Sequence, residues 1–579
     1  MKRTLLLLLL LTALATGLSA QENIQIINPA VETILFGEAI PENLPITPPS
    51  EMAQLLVDDL RPDSLRSYLI QMSAFGNRNT GSDTVSTTFG IGAARRWAHD
   101  KFQQFSDQSG GRLQVGYLQF DQDICGMGQH RNILAVLPGV GPHAEEFVLV
   151  EAHFDSRCEG GCDITCNAAG MEDNGSGSAL VLELARVMAN TTTDRTMVFM
   201  LTIGEEQGLF GAEAFSKFVE DNQLPLRAVF NNDIVGGIIC GQTASPPGCP
   251  GLNDIDSTNV RIYSHGNIYS QSKSLARFTK MQYEQDVFDL MPYPTVINLM
   301  SPEDRTGRGG DHIPFRQAGY PAIRFTSANE HGDGNPSQAG YSDRQHTHDD
   351  DLGLDTDGDG IVDSFFVDFN YLNRNAIING YALHTAASGP PTPELVELEA
   401  IDNVGIRVEI TDPANTGRYL VGVRQQASLE FQYLFEFDSK IDTITELPDD
   451  VLFFFSAAAV DDQDRESLFW VERFADYEVP TSEIAPHQGV ELLQNRPNPF
   501  DEATYFGVYV SEAQTGKTAE ILVNDLTGKV LKRLPIGLQP GLNEVLYGFE
   551  HHGYVPGTYS YTLVIDGTIV ATRRMVYAW

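Results

Sequence analysis

Residues 197–215 read MVFMLTIGEEQGLFGAEAF, an apolar run that ends in two adjacent glutamates before a helical pattern begins. The run predicts a buried strand at Thr196–Ile203, and the pattern after it predicts a helix at Ala212–Glu220. The same alternation continues on both sides, with predicted strands at Glu146–Ala152 and Leu226–Phe230 and a predicted helix at Ser178–Met188. Alternating strands and helices are typical of an α/β domain with a mixed, largely parallel sheet and helices on both faces.

The chain has 579 residues, which is too many for one hydrophobic core, so several domains are expected. We assign residues 51–389 to the α/β domain, because the Pro-rich break Gly389–Pro393 ends the helical character. Alternating apolar and polar residues then predict two β-sandwich domains, at residues 393–478 and 490–579. Residues 21–50, which precede the α/β pattern, are interpreted as a leader or propeptide-like segment.

The first 20 residues have the pattern of a secretory signal peptide. Lys2 and Arg3 precede seven leucines, Leu5–Leu11, and small residues lead to a predicted cleavage near Ala20. A membrane anchor is the alternative, but the apolar run is shorter than a stable span, and no other stretch approaches the roughly 20 apolar residues that a span needs. We therefore predict no membrane span and a secreted protein. The formal net charge of −40 disfavours nucleic acid and anionic lipid as partners.

The chain contains six cysteines, and an even number in an exported protein favours disulfides. Cys240 and Cys249 are expected to pair across a loop rich in proline and glycine. Among Cys125, Cys158, Cys162 and Cys166 the pairing is left open. A metal site at the last three is the alternative, but their spacing lacks the two-residue gaps of structural zinc sites.

Acidic and histidine side chains follow several of the predicted strands. Glu205 and Glu206 end the strand quoted above, Asp233 ends the next strand, and His153 and Asp155 lie two residues apart at the end of an earlier one. Adjacent buried acids repel each other unless a cation binds one of them, and a metal ion with a bound water provides that condition. Asp173 precedes a Gly/Ser-rich turn into a helix, where an N-cap role is the alternative.

In this order, the set His153, Asp173, Glu205-Glu206, Asp233 and a late His346 resembles the co-catalytic zinc aminopeptidase family, which includes bacterial leucyl aminopeptidases, glutamate carboxypeptidases and glutaminyl cyclases. The resemblance covers residues 51–388 and implies the zinc exopeptidase fold, two Zn²⁺ ions and peptide substrates. It implies that Asp173 bridges the ions, that His153 and Asp233 complete one site, and that Glu206 and His346 complete the other.

The resemblance makes Glu205 the general base, which moves a proton to the leaving amine while hydroxide shared by two zinc ions attacks the peptide carbonyl. Asp155 either holds the second ring nitrogen of His153 or supports the ligand loop from behind. A carboxypeptidase or a glutaminyl cyclase on the same scaffold is the alternative function, although cyclases of this type usually work with one zinc. An inactive scaffold used for adhesion is a further alternative, which the retained Glu205 argues against.

Some assignments near the late ligand stay open. His348 is the alternative to His346 within HTHDDD (346–351). Relatives often place a tyrosine before this ligand to stabilise the oxyanion, whereas this chain has Gln345, so Tyr341 is only a candidate for that role. Asp311 and His312 also match a family motif, GRGGDHIPF in this chain (307–315), and we favour hydrogen bonds that fix a loop as their role.

An acidic loop follows the late histidines. Its sequence DTDGDGIVDSFF (355–366) places Asp355, Asp357, Asp359 and Asp363 at positions 1, 3, 5 and 9 of a calcium-binding loop. Position 12, where a bidentate acid is needed, is Phe366. The loop is therefore either an imperfect Ca²⁺ site or a solvated acidic insertion.

The two predicted sandwich domains carry resemblances of their own. Residues 393–478 resemble a fibronectin type III domain, with Phe453–Val460 placed among its late strands. Residues 490–579 resemble a type IX secretion sorting domain in their ELLQNRPNPF turn (491–500) and their late strand GTYSYTLVIDG (557–567). This resemblance implies export through the periplasm by the type IX secretion machinery to the cell surface or medium. A plain accessory sandwich is the alternative.

Overall fold

The computed structural model describes most of the chain. The described residues are 21–241, 247–249, 251–267, 269–305, 308–328, 344–401, 405–425, 428–445, 447, 453–475, 490–496, 498–500, 503–510, 518–525, 529–539, 541–548 and 557–577. The predicted signal peptide, residues 1–20, and Tyr341 lie outside these residues.

The α/β domain is built on a nine-stranded sheet with the strand order β1-β2-β3-β5-β4-β6-β9-β7-β8. Its strands are β1 (Glu22–Ile26), β2 (Gln114–Ile124), β3 (Met127–Leu137), β4 (Phe147–His153), β5 (Thr196–Thr202), β6 (Leu226–Asn232), β7 (Asn259–Ser264), β8 (Val296–Leu299) and β9 (Ala322–Ser327). Parallel pairing joins β5, β4, β6 and β9 in the centre and β7 to β8, and the other pairs are antiparallel. The predicted mixed sheet is thereby confirmed.

Nine α-helices occur among the described residues of this domain. They are α1 (Pro29–Leu35), α2 (Pro49–Asp59), α3 (Pro62–Ser73), α4 (Gly90–Gln108), α5 (Gly177–Met188), α6 (Phe210–Asp221), α7 (Gln271–Asp286), α8 (His312–Gln317) and α9 (Phe369–Ser388). Short turns at Met171–Ser176 and Phe288–Leu290 and a small ribbon of β10 (Gly353–Leu354) and β11 (Ser364–Phe365) complete it. The strands and helices predicted from the sequence all agree with the observed bounds to within two residues.

Helices cover both faces of the sheet, as predicted, because the central strands are apolar on both sides. Val148 and Val150 of β4 belong to a core cluster that includes residues of α4, α5 and α9. Phe147 and Leu149, on the opposite face of the same strand, pack in a second cluster with Phe215 of α6 and residues of α1. All seven residues of β4 are buried. The chain therefore approaches solvent at the loops that flank this strand.

The segment 21–50 is part of this architecture. Strand β1 pairs with β2 at the edge of the sheet, and Val31 and Leu35 of α1 are buried in the second core cluster. Gln21 donates a side-chain hydrogen bond to the carbonyl of Phe210 at 2.7 Å. Whether this segment is removed during maturation stays a prediction.

Seven strands form the first all-β unit after the break at residue 389. They are β12 (Glu394–Ile401), β13 (Gly405–Thr411), β14 (Arg418–Gln425), β15 (Tyr433–Phe437), β16 (Ile441–Ile444), β17 (Phe453–Val460) and β18 (Arg473–Ala475). Two antiparallel sheets, β12-β13-β16 and β15-β14-β17-β18, share one apolar core. A two-sheet sandwich is therefore confirmed, whereas its assignment as fibronectin type III stays a prediction.

The last unit is a second sandwich with its own core. Its strands are β19 (Val490–Leu492), β20 (Ala503–Val510), β21 (Thr518–Asn524), β22 (Val530–Gly537), β23 (Gly541–Gly548), β24 (Gly557–Ile565) and β25 (Thr568–Tyr577). They form the sheets β19-β20-β23 and β22-β21-β24-β25. Val576 contacts Phe454 of the first sandwich in a small apolar cluster. The type IX sorting role of this unit and all domain boundaries stay predictions.

All six cysteines are paired, as predicted. Cys240 bonds to Cys249, and the two pairings that the sequence left open are Cys125–Cys162 and Cys158–Cys166. The cysteine cluster is therefore not a metal site. No helix among the described residues is both long and apolar enough to cross a membrane.

The first sandwich is joined to the α/β domain by a buried charge cluster. Glu472 is fully buried and accepts two hydrogen bonds from Arg424, at 2.6 and 2.7 Å, while Arg277 of α7 lies 3.2 Å away. Burial raises the pKa of Glu472, but the two arginines outweigh it and hold the pKa below its ordinary value. The stabilisation therefore exists at neutral pH and is lost as the pH falls towards that lowered pKa.

Replacing Glu472 should destabilise the protein strongly. We expect Glu472→Gln to lower the free energy of unfolding by about 3–5 kcal/mol, because two buried guanidinium groups lose their counter-charge. Glu520→Gln is the control, since Glu520 pairs with Arg533 at the surface and such pairs contribute about 0–1 kcal/mol. Denaturant unfolding of the full chain measures both. Equal, small effects of the two changes would contradict the importance of the buried cluster.

Candidate metal centre

Four of the predicted site residues follow neighbouring parallel strands. His153 is the last residue of β4, Asp233 directly follows β6, and Glu205 and Glu206 lie in the turn after β5. These strands are adjacent in the order β5-β4-β6 and parallel, so their carboxyl ends lie at the same edge of the sheet. Open α/β sheets place their binding crevices at this edge.

The first group of candidate ligands consists of His153, Asp173 and Asp233, all buried. The Nε2 atom of His153 lies 3.0 Å from Oδ1 of Asp173 and 3.5 Å from Oδ1 of Asp233. One potential ligand atom from each residue lies within 4.8 Å of the other two. The three residues can therefore bind one ion together.

The second group shares Asp173 and adds Glu206 and His346. The Nε2 atom of His346 lies 3.1 Å from Oδ2 of Asp173 and 3.3 Å from Oε2 of Glu206. Asp173 thus presents one oxygen to each group, which is the arrangement of a carboxylate that bridges two ions. His346 has a φ of 60°, a left-handed conformation that non-glycine residues hold only where the surrounding structure requires it.

The donor atoms fit a divalent metal such as zinc. Nε2 of His153, Oδ1 of Asp233 and Oε1 of Glu206 are buried and make no hydrogen bond to the described part of the protein. Leaving buried polar atoms unpaired is costly, and imidazole nitrogens together with carboxylate oxygens are the ligands that zinc accepts. The residues therefore fit the metal that the sequence predicts.

The electrostatics of the candidate ligands also favour a bound cation. Burial raises the pKa of Glu206 well above its ordinary value, and Asp173 and Glu205 raise it further by repulsion. Burial also raises the pKa of Asp173, but the imidazole rings of His153 and His346, 3.0 and 3.1 Å from its oxygens, outweigh it and bring the pKa well below the ordinary value. The set accumulates more buried negative charge than its two histidines offset, and bound cations would offset the rest.

Glu205 lies beside the candidate ligands but belongs to neither group among the described residues. Burial is the largest cause that raises the pKa of its carboxyl well above the ordinary value, and His153 opposes this rise. A carboxyl group with a raised pKa, next to a metal but not bound to it, can accept and return a proton near neutral pH.

Asp155 supports the turn that carries Glu205 and Glu206, which we call the glutamate turn. Its carboxylate accepts hydrogen bonds from the backbone N–H groups of Glu205 at 3.2 Å and Glu206 at 3.3 Å, and from the hydroxyl of Thr80 at 3.0 Å. The nearer partner of Nδ1 of His153 is the backbone carbonyl of Asp155 at 3.1 Å, whereas the carboxylate is 3.7 Å away. Of the two roles expected for Asp155, the geometry favours support of the ligand loop.

The late segment 344–350 is tied to the turn that carries Asp173. Asp350 accepts hydrogen bonds from the backbone N–H groups of Glu172 at 2.9 Å and Asp173 at 3.0 Å. The side-chain amide of Gln345 donates to Oδ2 of Asp173 at 2.8 Å. Gln345, directly before His346 in the sequence, therefore contacts the shared carboxylate.

Three other residues suggested by the sequence lie outside both ligand groups. The side chain of His348 is 62% exposed and pairs with Glu159 at 3.0 Å, so the geometry favours His346 as the late ligand. Asp311 accepts a hydrogen bond from the hydroxyl of Thr202, and Nε2 of His312 lies 3.2 Å from the carbonyl of Glu303. These contacts agree with the loop-fixing role favoured for both residues.

The acidic loop after the site holds a third group of carboxylates. Ligand atoms of Asp355, Asp357 and Asp359 lie within 4.8 Å of one another, and all three residues are exposed. Asp363 instead accepts hydrogen bonds from the backbone N–H of Thr356 at 3.1 Å and from its hydroxyl at 2.7 Å. Calcium binding at this loop stays a prediction.

Two buried arginines near the site were not identified from the sequence. Arg324 on β9 lies 2.9 Å from Oδ2 of Asp233, and Arg78 donates to the backbone carbonyls of Phe154, Ala169 and Gly170. Arg324 could have been identified from the sequence, because a charged residue inside the apolar run AIRFT (322–326) requires a buried partner. Arg78 lies in a polar stretch with no comparable pattern.

Comparison with known proteins supports a peptidase. The sequence model of Peptidase family M28 matches residues 132–242, which include all the candidate ligands except His346. A probable zinc metalloprotease of Pyricularia oryzae is 31% identical over 370 residues, which are 61% of this chain and 69% of the relative. A second, from Leptosphaeria maculans, is 29% identical over 371 residues, covering 61% and 81% of the two chains.

Among solved structures, this chain is similar to the LapA aminopeptidase of Legionella pneumophila. The TM-score is 0.41, the sequence identity is 17%, and the match covers 60% of this chain and 75% of that chain.

Proposed function

This chain belongs to peptidase family M28 and is a zinc metallopeptidase, and we propose that it acts as an aminopeptidase, which hydrolyses the amino-terminal bond of peptides. The observation that carries the proposal is the shared Asp173, whose two oxygens lie 3.0 and 3.1 Å from the histidines of the two ligand groups. Glu205 lies beside both groups without belonging to either. This arrangement supports two zinc sites and one separate base.

In the proposed mechanism, His153 and Asp233 would hold one zinc ion, Glu206 and His346 would hold the other, and Asp173 would contribute to both sites. When bound, the zinc ions supply Lewis acidity, which lowers the pKa of water and polarises a peptide carbonyl. Glu205 accepts the proton from the attacking water and returns it to the leaving amine. Asp155 keeps Glu205 in place through its hydrogen bond to the Glu205 backbone N–H.

Charge around the site favours a substrate ammonium over a substrate carboxylate. A carboxypeptidase needs a cation to bind the terminal carboxylate, and an arginine is the usual choice for planar carboxylate recognition. The arginines described next to the ligands are already engaged: Arg78 with three carbonyls, Arg157 with the carbonyls of Cys158 and Glu159, and Arg324 with Asp233 and Asp304. Because these three arginines are engaged, an amino terminus suits the site better than a terminal carboxylate.

A glutaminyl cyclase is less well supported by the same geometry. Cyclases of this type usually need one zinc, whereas both ligand groups are complete here and share Asp173. An inactive scaffold is also disfavoured, because Glu205 is present next to both groups. The aminopeptidase proposal thus accounts for every buried acidic residue of the two groups.

We further propose that the enzyme is secreted. The signal-like residues 1–20 and the sorting-domain resemblance of residues 490–579 support export through the periplasm and the type IX machinery. The terminal sandwich has a separate apolar core, which suits a module that can act as a recognition unit. The three disulfides agree with an oxidising compartment.

Two substitutions at adjacent positions separate catalysis from metal binding. Glu205→Gln removes the base but no ligand, so we expect two zinc ions to remain while kcat falls by about 10²–10⁴. Glu206→Gln replaces a charged ligand by a neutral amide, so one zinc should bind weakly and added zinc should restore part of the activity. Zinc per chain and kcat measure both effects. If Glu205→Gln lost a zinc ion and Glu206→Gln kept both, the roles of base and ligand would have to be exchanged between the two residues.

Peptides with blocked ends test the type of exopeptidase. We expect free and C-amidated peptides to be cleaved and N-acetylated peptides to resist, because acetylation removes the ammonium group that the acidic site attracts. Mass spectrometry of the products also shows from which end residues are released. Cleavage of acetylated peptides at the rate of free ones, or release of carboxy-terminal residues, would exclude an aminopeptidase.

Deleting residues 490–579 tests the sorting proposal. We expect the shortened enzyme to keep its peptidase activity, since the deleted unit has its own core and none of its described residues is a candidate ligand. In the native host it should accumulate in the periplasm, whereas the full chain reaches the surface or medium. Fractionation followed by an activity assay measures both. Normal appearance of the shortened enzyme in the medium would refute the sorting role.

A further inference from the structure

Arg324 is a fully buried arginine that joins two buried carboxylates at the edge of the candidate metal centre. Its Nη2 atom lies 2.9 Å from Oδ2 of Asp233, and its Nη1 atom lies 2.6 Å from Oδ2 of Asp304. The planar guanidinium group presents its donors in a fixed fork. Arg324 therefore contacts one oxygen of Asp233, and His153 lies nearest to the other.

Part of the motif GRGGDHIPF, residues 308–315, is described in the structure, and Gly309 and Gly310 of this part lie beside Arg324. Nη1 of Arg324 also donates to the carbonyl of Gly309 at 3.0 Å. A Cβ atom at Gly310 would lie 3.4 Å from Cδ of Arg324 and 3.4 Å from Oδ2 of Asp233. These are ordinary van der Waals distances, so the backbone at Gly309 and Gly310 borders the ion pair closely.

The backbone also fixes where Arg324 and Asp233 meet. Strand β9 pairs in parallel with β6, with Arg324 opposite Asn231, and the N–H of Asp233 donates to the carbonyl of Phe325 at 3.2 Å. Both ends of the Arg324–Asp233 contact thus come from hydrogen-bonded neighbouring strands. A side chain held in this way can set the orientation of the carboxylate that it touches.

We propose that Arg324 is a positioning residue that fixes Asp233 as a one-oxygen zinc ligand and thereby sets the affinity of one of the two zinc sites. The proposal rests on the two-zinc function proposed above. Arg324 occupies Oδ2 of Asp233, which leaves Oδ1, 3.5 Å from Nε2 of His153, as the oxygen that faces the ion. Partners that orient a ligand in this way typically change metal affinity by about 10–100-fold.

The second zinc site has a different environment. The cation nearest to its ligand Glu206 is Arg157, whose Nε atom lies 3.9 Å from Oε2 and whose side chain is 20% exposed. Arg157 also donates hydrogen bonds to the carbonyls of Cys158 and Glu159. This contact is too long for a hydrogen bond, so it does not orient Glu206 as Arg324 orients Asp233. Loss of Arg324 should therefore affect one ion and spare the other.

Zinc titration of the full chain tests the proposal. We expect wild type to bind two zinc ions per chain in metal-buffered dialysis, and Arg324→Met to bind one with unchanged affinity and the other about 10–100-fold more weakly. Arg324→Lys keeps the charge but not the fork, and we expect it to resemble Arg324→Met. Arg316→Met is the matched control, because Arg316 makes a two-bonded pair with Glu303 and touches no candidate ligand.

A double substitution identifies the residue through which Arg324 acts. If Arg324 works through Asp233, then adding Arg324→Met to Asp233→Asn should cause no further loss of zinc affinity. A general structural role predicts additive losses and lowered affinity at both ions, and either result would overturn the proposal. If Arg324→Met does not fold, then Arg324→Lys alone decides, and unchanged zinc affinity in that variant overturns the proposal.

The same titration separates this inference from the function on which it rests. Wild type that binds fewer than two zinc ions contradicts the two-zinc site itself. Wild type with two ions, together with Arg324→Met that also binds two at wild-type affinity, contradicts only the role of Arg324.

Discussion

Buried negative charge at one sheet edge is the constraint on which this structure depends. Asp173, Glu205, Glu206 and Asp233 converge at the carboxyl ends of parallel strands, and burial tends to raise the pKa of each. Carboxylates this close cannot all stay ionised unless cations lie among them. Two histidines and Arg324 offset part of the charge, and a pair of divalent ions would offset the rest. The metal requirement follows from the arrangement of acids, and the fold brings those acids together.

The parallel strands bring several of these side chains to the same edge of the sheet. The central strands are mostly apolar along their buried length, although Glu151 and Arg324 are buried within them, and most of the candidate site lies where strands end. His153 and Asp233 lie at two such ends, and the glutamate turn after β5 is held by the carboxylate of Asp155 behind it. The late ligand His346 comes from a loop, but Asp350 ties that loop to the turn of Asp173 by two hydrogen bonds. Every ligand is thus anchored by a second contact.

The strand pattern indicated only part of the candidate site, at the ends of buried runs, whereas Asp173, His346 and the grouping of the ligands came from the family resemblance. A buried run that ends in an acid or a histidine gives both the position of the side chain and its surroundings, as at His153 and Asp233. The pairing of Cys125 with Cys162 could not be predicted, since several connectivities satisfy the same spacing. Glu472 was also missed, because its partners Arg277 and Arg424 belong to distant segments that only the docked domains bring together.

The disulfide-bonded loop between His153 and Asp173 keeps these two candidate ligands in fixed positions relative to each other. Cys125–Cys162 ties this loop to the end of β2, and Cys158–Cys166 closes the loop on itself. The side chain of Asn77 adds hydrogen bonds to the carbonyls of Asp163 and Cys166, at 3.2 and 3.0 Å. Cross-links of this kind reduce the conformational freedom that a loop has before it folds. The turn that carries Asp173 can therefore be placed by covalent and hydrogen bonds before any metal binds, so the binding energy of the ions is not needed to order that connection.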